Sequence, residues 1–342
     1  MSDYPSLLRT VIARRDLDAE AMSSAIGAIM DAEWSQAQAG AFLAALATKG
    51  ESADEVVGAA EAMRARSLHV EHEFPIVVDT CGTGGDNAHT INISTAVGFV
   101  VAGCGLPVAK HGNRAASSRC GSADVLEACG IKIDGSPESA RRQLDQYKFA
   151  FLFAQAYHPA MKEVAPVRRQ LGVRTVFNLL GPLSNPARAT HQAIGVADGA
   201  HLELIGEALQ RLGARAGAVV HSTSGLDEVA GDAPTDVYQF ASGKSRRYRI
   251  DPAEFGIRAT SVDLAGGAPV ENAAALRAIL RGENSPRADV VALNAALALV
   301  VAEHAGSLNE GLEQARRSLA SGAAQSVFDA LRVEGSTEME FA

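Results

Sequence analysis

A chain of 342 residues, 47% hydrophobic and 21% charged, is long and apolar enough for two domains, or one large domain with an appendage, and too sparsely charged for extended disorder. Its net charge of −9 withholds the basic footprint that nonspecific nucleic-acid binding needs. The longest apolar stretches, 96–109 and 290–302, are too short and too interrupted to span a bilayer.

Residues 6–67 predict four helices and no strand. Leu7, Leu8, Val11 and Ile12 form one apolar stripe, and Met22, Ala25, Ile26, Ile29 and Met30 form a second that starts after Asp18 as N-cap. Ser35 caps a third helix, with Phe42, Leu43 and Leu46 inward and Gly50 at its end. Ser52 and Glu55 make a capping-box pattern before a fourth, which carries Val56, Val57, Ala60 and Met63. From Ile76 onward strand and helix alternate. Strands are expected at 76–80, 106–109, 149–153, 192–197 and 216–221, and helices at 95–104, 119–129, 137–147, 200–212, 271–281, 288–305 and 309–321. This alternation predicts an α/β fold with a mostly parallel central sheet flanked by helices, beside a small all-helical domain. Ser136-Pro137 opens a helix with Pro at its first position, and Ser242-Gly243-Lys244 turns a hairpin between 237–240 and 247–250. The Pro-rich segment 155–189 interrupts the pattern and reads as an excursion towards the helical domain. The cysteines Cys81, Cys104, Cys120 and Cys129 lack metal-site spacing, and the start of the sequence lacks a signal-peptide pattern. Small buried thiols in a cytoplasmic protein are therefore expected.

The chemistry concentrates in residues 76–130. Ile76-Val77-Val78 runs into a glycine loop, Gly82-Thr83-Gly84-Gly85-Asp86. This is neither a Walker loop nor GxGxxG, but it offers backbone N–H groups to an anion. A tight turn is the plainer reading, and the carboxylate of Asp86, placed for a sugar hydroxyl or metal-bound water, weighs against it. Asn92-Ile93-Ser94-Thr95 stands at a helix start, where plain N-capping competes with phosphate binding. Lys110-His111-Gly112-Asn113-Arg114 places three cationic side chains on a loop after the second strand, with Ser117, Ser118 and Ser122 following. Two such loops at one carboxyl edge of a sheet describe a phosphate or pyrophosphate site. Asp227-Glu228 is either an ordinary acidic turn or the carboxylate pair of a Mg²⁺ site completed by substrate phosphates. His158 and Arg168 carry no local signal of their own.

Together these segments resemble the anthranilate phosphoribosyltransferase family. The likeness rests on DTCGTGGD at 79–86, NIST at 92–95, KHGNRAASSRCGSADVLEACG at 110–130, RTVFNLLGPLSNPA at 174–187 and GLDEV at 225–229, and it covers nearly the whole chain. The pyrimidine nucleoside phosphorylases, which share that fold, differ at KHGNR. The resemblance implies a helical domain of residues 1–72 plus roughly 165–187, and an α/β domain of 73–164 and 188–342. It also implies a homodimer through the helical domain, two Mg²⁺ per subunit, the substrates anthranilate and 5-phosphoribosyl 1-diphosphate, and no nucleic acid or membrane partner. Carried over residue by residue, Gly82, Gly85 and Asp86 hold the diphosphate and ribose region, and Thr90, Asn92, Ile93, Ser94 and Thr95 the phosphoribosyl group. Lys110, His111, Gly112, Asn113, Arg114, Ala115, Ala116, Ser117 and Ser118 close on the phosphates, with Ser122 near them. Ser94, Asp227 and Glu228 hold the metal; Gly82, Asn113, His158, Arg168 and Gly181 face anthranilate. No obligatory acid or base is implied: Lys110, Asn113, His158 and Arg168 act by position and charge.

Overall fold

A computed structural model describes residues 3–115, 118–133 and 135–340, with the backbone alone for 333 and 335–340. It opens with the four helices expected: α1 (Tyr4–Ile12), α2 (Ala19–Met30), α3 (Gln36–Lys49) and α4 (Ala53–Ala65). Their caps form as the sequence predicts. Asp18 accepts from the Ala21 amide at 2.8 Å, Ser35 and Ser52 close capping boxes with Gln38 and Glu55, and Gly50 ends α3 with φ +87. Glu55 is fully buried because its carboxylate also accepts from the Leu17 amide at 3.0 Å and from Lys49 Nζ at 2.8 Å, which offsets its desolvation. The first apolar stripe holds at three of its four positions. Val11 is buried and Leu7 and Leu8 pack against the same cluster, but Ile12, expected inside, is 64% exposed.

The rest is a seven-stranded sheet of order β3-β2-β1-β4-β5-β6-β7, the first five strands parallel and the last two antiparallel. In chain order it runs β1 (Val78–Asp79), α5 (Ile93–Gly103), β2 (Val108–Gly112), α6 (Ser122–Ala128), α7 (Pro137–Tyr147), β3 (Phe149–Phe153), α8 (Ala154–Tyr157), α9 (Met161–Leu171), β4 (His191–Gly195), α10 (His201–Arg211) and β5 (Ala216–Ser222). Then come β6 (Thr235–Ala241), β7 (Lys244–Ile250), α11 (Ser261–Leu264), α12 (Pro269–Leu280), α13 (Pro286–Val301), α14 (Leu308–Ala320) and α15 (Ala323–Glu340). β1 is shorter than predicted because the Val77 amide donates to Thr190 Oγ1 at 3.0 Å instead of joining the ladder. β2 is longer: Lys110, His111 and Gly112, expected on a loop, pair with Phe151, Leu152 and Phe153 because β3 is apolar throughout and presents five continuous partners. The hairpin turns on Ser242 and Gly243, both left-handed (φ 50 and 73), so Lys244 belongs to β7. The C-terminal helix α15 has no counterpart in the sequence reading. It lies on α5, where Phe328 meets the Phe99 ring edge-on at 5.5 Å.

Two features position the site. The chain lays down β2 and β3 on one side of β1 and then returns to β4 on the other, so β1 and β4 flank a topological switch point where loops diverge at the carboxyl edge. The 155–189 excursion carries α9, which packs on α2 and α3. Val164, Val167 and Phe177 share one buried cluster with Phe42 and Leu43, so this segment overhangs the same edge from the helical side. No helix among the described residues is long and apolar enough to cross a membrane.

Candidate active site

At the switch point the glycine loop leaves β1 and is pinned across to β4 and β5. The Thr83 amide donates to the Gly195 carbonyl at 2.9 Å, the Ala197 amide to Thr83 Oγ1 at 3.3 Å, and the Gly84 amide to Asp227 Oδ2 at 2.9 Å. Gly84 and Gly85 take φ +64 and +84, which other residues adopt at a cost. Gly195 has no room for a side chain, since a Cβ there would lie 1.4 Å from the Asp227 carbonyl oxygen. One pocket at this junction gathers Thr80, Gly82, Ser94, Asp227, Glu228 and Asn294. Three segments far apart in sequence therefore converge where the glycine loop and the acidic turn were expected to cooperate.

The pocket has an excess of negative charge. Burial, then repulsion from Asp86, pushes the Asp227 carboxyl up to about 7. Burial, then Asp227, raises Glu228 well above its ordinary range. Asp227 faces the glycine loop, while Glu228 is turned to the Ser94 backbone N–H. The opposing cation is Lys110. Far from closing over the cleft on a loop, it is buried in β2 and donates from Nζ to the Thr80 carbonyl at 3.3 Å, and its charge acts on Asp79 and Glu228. Among the described residues no three acidic, His or Cys side chains converge as a full metal cage. Two carboxylates with raised affinity for positive charge beside a serine hydroxyl fit a hard divalent cation whose remaining ligands come from substrate oxygens and water.

Beneath the pocket lies Asp79, which the sequence marks only as the end of an apolar run. It is fully buried, and burial pushes it up to about 6. Its Oδ1 accepts from the amides of Cys81 and His111 at 3.1 and 3.2 Å, and its Oδ2 from Asn185 Nδ2 at 2.7 Å. Asn185 also donates to the Ala109 carbonyl at 2.8 Å, so one buried pair fastens β1, β2 and the end of the excursion.

The phosphate-binding candidates divide. Ser94 faces the pocket, while Ile93 is in the core and Thr95 is buried. Asn92 makes no capping bond; it donates to the Cys120 carbonyl at 3.1 Å and accepts from Asn272 at 2.9 Å, anchoring the helix start rather than capping it. Thr90 bridges to Ala265, and Asp86 accepts from the Asp227 amide at 3.4 Å. Ser122 Oγ accepts from the Asn113 amide at 3.1 Å, and Gly112 is glycine because a Cβ would meet that hydroxyl at 2.3 Å. Arg114 is drawn off to Asp124 and Glu127 at 3.0 and 2.5 Å, while the Ala115 amide donates to Asp124 and Ser118 is exposed. Ala116 and Ser117 lie outside the described residues. Arg174, given no role in the sequence reading, reaches across the cleft from the excursion to donate to the Gly85 carbonyl at 3.3 Å.

On the acceptor side, Asn113 is exposed at the end of β2, with Gln155 Nε2 3.5 Å from its Oδ1. Arg168 is partly buried on α9. Its guanidinium has no hydrogen bond or ion pair among the described residues, only the Phe177 ring at 5.9 Å, and burial lowers its pKa. His158 is buried, with neither ring nitrogen hydrogen-bonded among the described residues, and its ring centroid is 5.1 Å from that of His111. His111 Nδ1 donates to the Gly181 carbonyl at 2.8 Å, which places Gly181 beside the pair. Burial pulls His111 down to about 4 and His158 to about 3, so both are neutral at pH 7. The unfolded chain takes up these two protons near 6.5, the folded one only near 4 and 3; their contribution to stability is full above pH 6.5 and is lost as pH falls towards 3. The buried carboxylates act in the opposite sense, so the test is a difference. A double His111→Asn, His158→Asn variant should lose less urea stability between pH 7 and 4 than the parent, and parallel pH profiles would contradict this.

Comparison with known proteins identifies the family and the fold. The chain matches the glycosyl transferase family, a/b domain, over residues 75–325, and the glycosyl transferase family, helical bundle domain, over residues 5–67. It is 48% identical to an anthranilate phosphoribosyltransferase of Symbiobacterium thermophilum over 96% of each chain, and 50% identical to that of Roseiflexus castenholzii over 92% of this chain and 93% of that one. Its fold superposes on the anthranilate phosphoribosyltransferase of Thermus thermophilus with a TM-score of 0.91 at 42% identity, covering 96% of this chain and 98% of that one. The Saccharomyces cerevisiae enzyme, solved in complex with PRPP and Mg, gives a TM-score of 0.90 at 26% identity over 98% of both chains.

Proposed function

The chain belongs to the anthranilate phosphoribosyltransferase family, and from that membership we infer how its own residues divide the work of the reaction. It transfers the 5-phosphoribosyl group from 5-phosphoribosyl 1-diphosphate to the amine of anthranilate, giving N-(5-phosphoribosyl)anthranilate and pyrophosphate, a step of tryptophan biosynthesis. The observation that carries the division of roles is the pairing, at one switch point, of a glycine loop with two carboxylates short of positive partners, Asp227 and Glu228.

In this assignment the glycine loop, Ser94 and the 110–118 and Ser122 region receive the phosphoribosyl diphosphate. Asp227 and Glu228, turned to opposite walls, support two Mg²⁺ per subunit, with Ser94 as a further oxygen donor. Mg²⁺ held by Asp227, Glu228 and Ser94 would supply positive charge to the diphosphate; the bond from ribose C1 to the diphosphate oxygen is the one that breaks. Lys110 keeps Glu228 and Asp79 from repelling that substrate. The amine nitrogen of anthranilate forms the new bond to C1 and then loses one proton to solvent, and pyrophosphate leaves with the electron pair. The amine is neutral at pH 7, so orientation matters more than a base. Asn113 and Arg168 provide orientation from the two sides of the cleft, and neutral His158 with Gly181 shapes the ring's seat.

We place the helical domain at 1–72 with roughly 165–187, on the packing of α9 against α2 and α3. We also place a cytoplasmic homodimer through that domain, a reading supported by the family resemblance and by exposed Ile12 on α1. Light scattering tests the dimer. Adding 5-phosphoribosyl 1-diphosphate and Mg²⁺ to the protein with anthranilate should extinguish anthranilate fluorescence; a folded sample that leaves it unchanged overturns the catalytic reading.

A further inference from the structure

We propose that Asn294 is a positioning residue for the metal site, an internal splint that holds Asp227 and Glu228 in the geometry a divalent cation requires. This inference rests on the assignment of those two carboxylates as metal ligands. Asn294 stands in the middle of α13, in a run where Val290, Val291, Ala292, Leu293, Ala295 and Ala296 are all buried and apolar. An amide at 8% exposure in such surroundings is costly unless its hydrogen-bonding groups are used. They are used chiefly on one residue, Val229, with a further bond back into the helix. Oδ1 accepts from the Val229 amide at 2.9 Å, and Nδ2 donates to the Val229 carbonyl at 2.8 Å and to the Val290 carbonyl at 2.9 Å. The side chain thus pairs with both backbone groups of the residue that follows Glu228, as a neighbouring strand would, on a segment that belongs to no strand.

The other end of the acidic turn is tied as well, through Asp227 to the Gly84 amide and from the Asp227 amide to Asp86. Asp227-Glu228 is therefore fixed on both flanks. Without the Val229 splint the turn would be free to shift in the absence of metal, and the cation would have to fix it at the expense of its own affinity. Asn294 itself lines the pocket, so no second layer of side chains separates the splint from the site. A merely structural tie between α13 and the turn predicts a loss of stability alone; a splint predicts a specific loss of metal affinity.

The test uses the full-length protein and Mn²⁺ as a spectroscopic probe, titrated by EPR with 5-phosphoribosyl 1-diphosphate present. Asn294→Leu should weaken Mn²⁺ binding by about tenfold or more. It should also speed exchange of the Val229 amide, raise the Mg²⁺ concentration at half-maximal rate, and leave the anthranilate KM unchanged. Asn294→Ser serves, with the same expectation, if the Leu variant does not fold. Thr235→Val is the control. It removes the 3.2 Å bond from the next amide, Ala230, to Thr235 Oγ1, and should leave Mn²⁺ affinity in place. Unchanged Mn²⁺ affinity in a folded Asn294 variant, or an equal loss in Thr235→Val, overturns the splint. If Asp227→Asn with Glu228→Gln leaves Mn²⁺ binding intact, the metal assignment itself fails, and the splint with it.

Discussion

Replacing Asp227 by Asn and Glu228 by Gln together should lower kcat/KM about a thousandfold while raising Tm. The rate loss follows from what the pair supplies. Charge neutralisation at a departing diphosphate is worth several kcal/mol in a site that excludes water, and about 4 kcal/mol corresponds to three powers of ten. The gain in Tm follows from what the pair costs. Both carboxylates are pushed to higher pKa by burial and by a like-charged neighbour, Asp86 for the first and Asp227 for the second, so each is destabilising when ionised. The amides keep the acceptor oxygens that the Gly84 and Ser94 amides use, and shed the repulsion. A rise of ~2 °C is the scale for ~1 kcal/mol in a protein of this size. Activity and stability then move in opposite directions, as they do where a fold holds like charges together for function. Persistent Mg²⁺-dependent turnover in the double variant would remove the metal assignment. A lowered Tm would make the carboxylates structural.

The same contrast explains what the sequence could reveal. Caps were legible because they are local: Ser52 and Glu55 are three residues apart, and Ser136 accepts from the Ser139 amide at the helix start its Pro137 announces. The glycine loop and the acidic turn were each legible as motifs, but the 2.9 Å bond between Gly84 and Asp227 spans 143 residues and depends on the β1/β4 crossover. Lys110 was misplaced because a cation after Val-Ala reads as the start of a loop, and only the buried Asp79 and the Thr80 carbonyl make a strand interior tolerable for it. Asp79 itself looked like a strand end; its function appears only with Asn185, 106 residues away. Ser94 and Thr95 read as caps, whereas the helix already starts at Ile93 and Asn92 before it has its amide occupied by Cys120 and Asn272. Arg174 and Asn294 lie in segments that carry the resemblance, but nothing local gave either a role: one reads as an ordinary exposed cation and the other as a lone amide in an apolar helix.

Arg168→Ala is the sharpest probe of the acceptor half. It should raise the anthranilate KM about a hundredfold, with kcat and the KM for 5-phosphoribosyl 1-diphosphate nearly unchanged. The fold keeps this guanidinium partly buried and lowers its pKa by burial, yet provides it with no hydrogen bond or ion pair among the described residues, only the Phe177 ring at 5.9 Å. A desolvated cation left without an anion is complementary to a carboxylate that arrives with the substrate, and anthranilate has one. Deleting one partner of such a pair costs ~3 kcal/mol, which gives the hundredfold figure. The carboxylate itself makes and breaks no bond and keeps its charge throughout, so the contact is equal in ground and transition states and its loss enters KM rather than kcat. Arg168→Lys keeps the charge but not the planar fork, and should fall between the two. Its exposed neighbour Arg169 supplies the control: Arg169→Ala should leave both constants unaltered. A fall in kcat at unchanged KM would instead place Arg168 against charge that develops only as C1 changes partners.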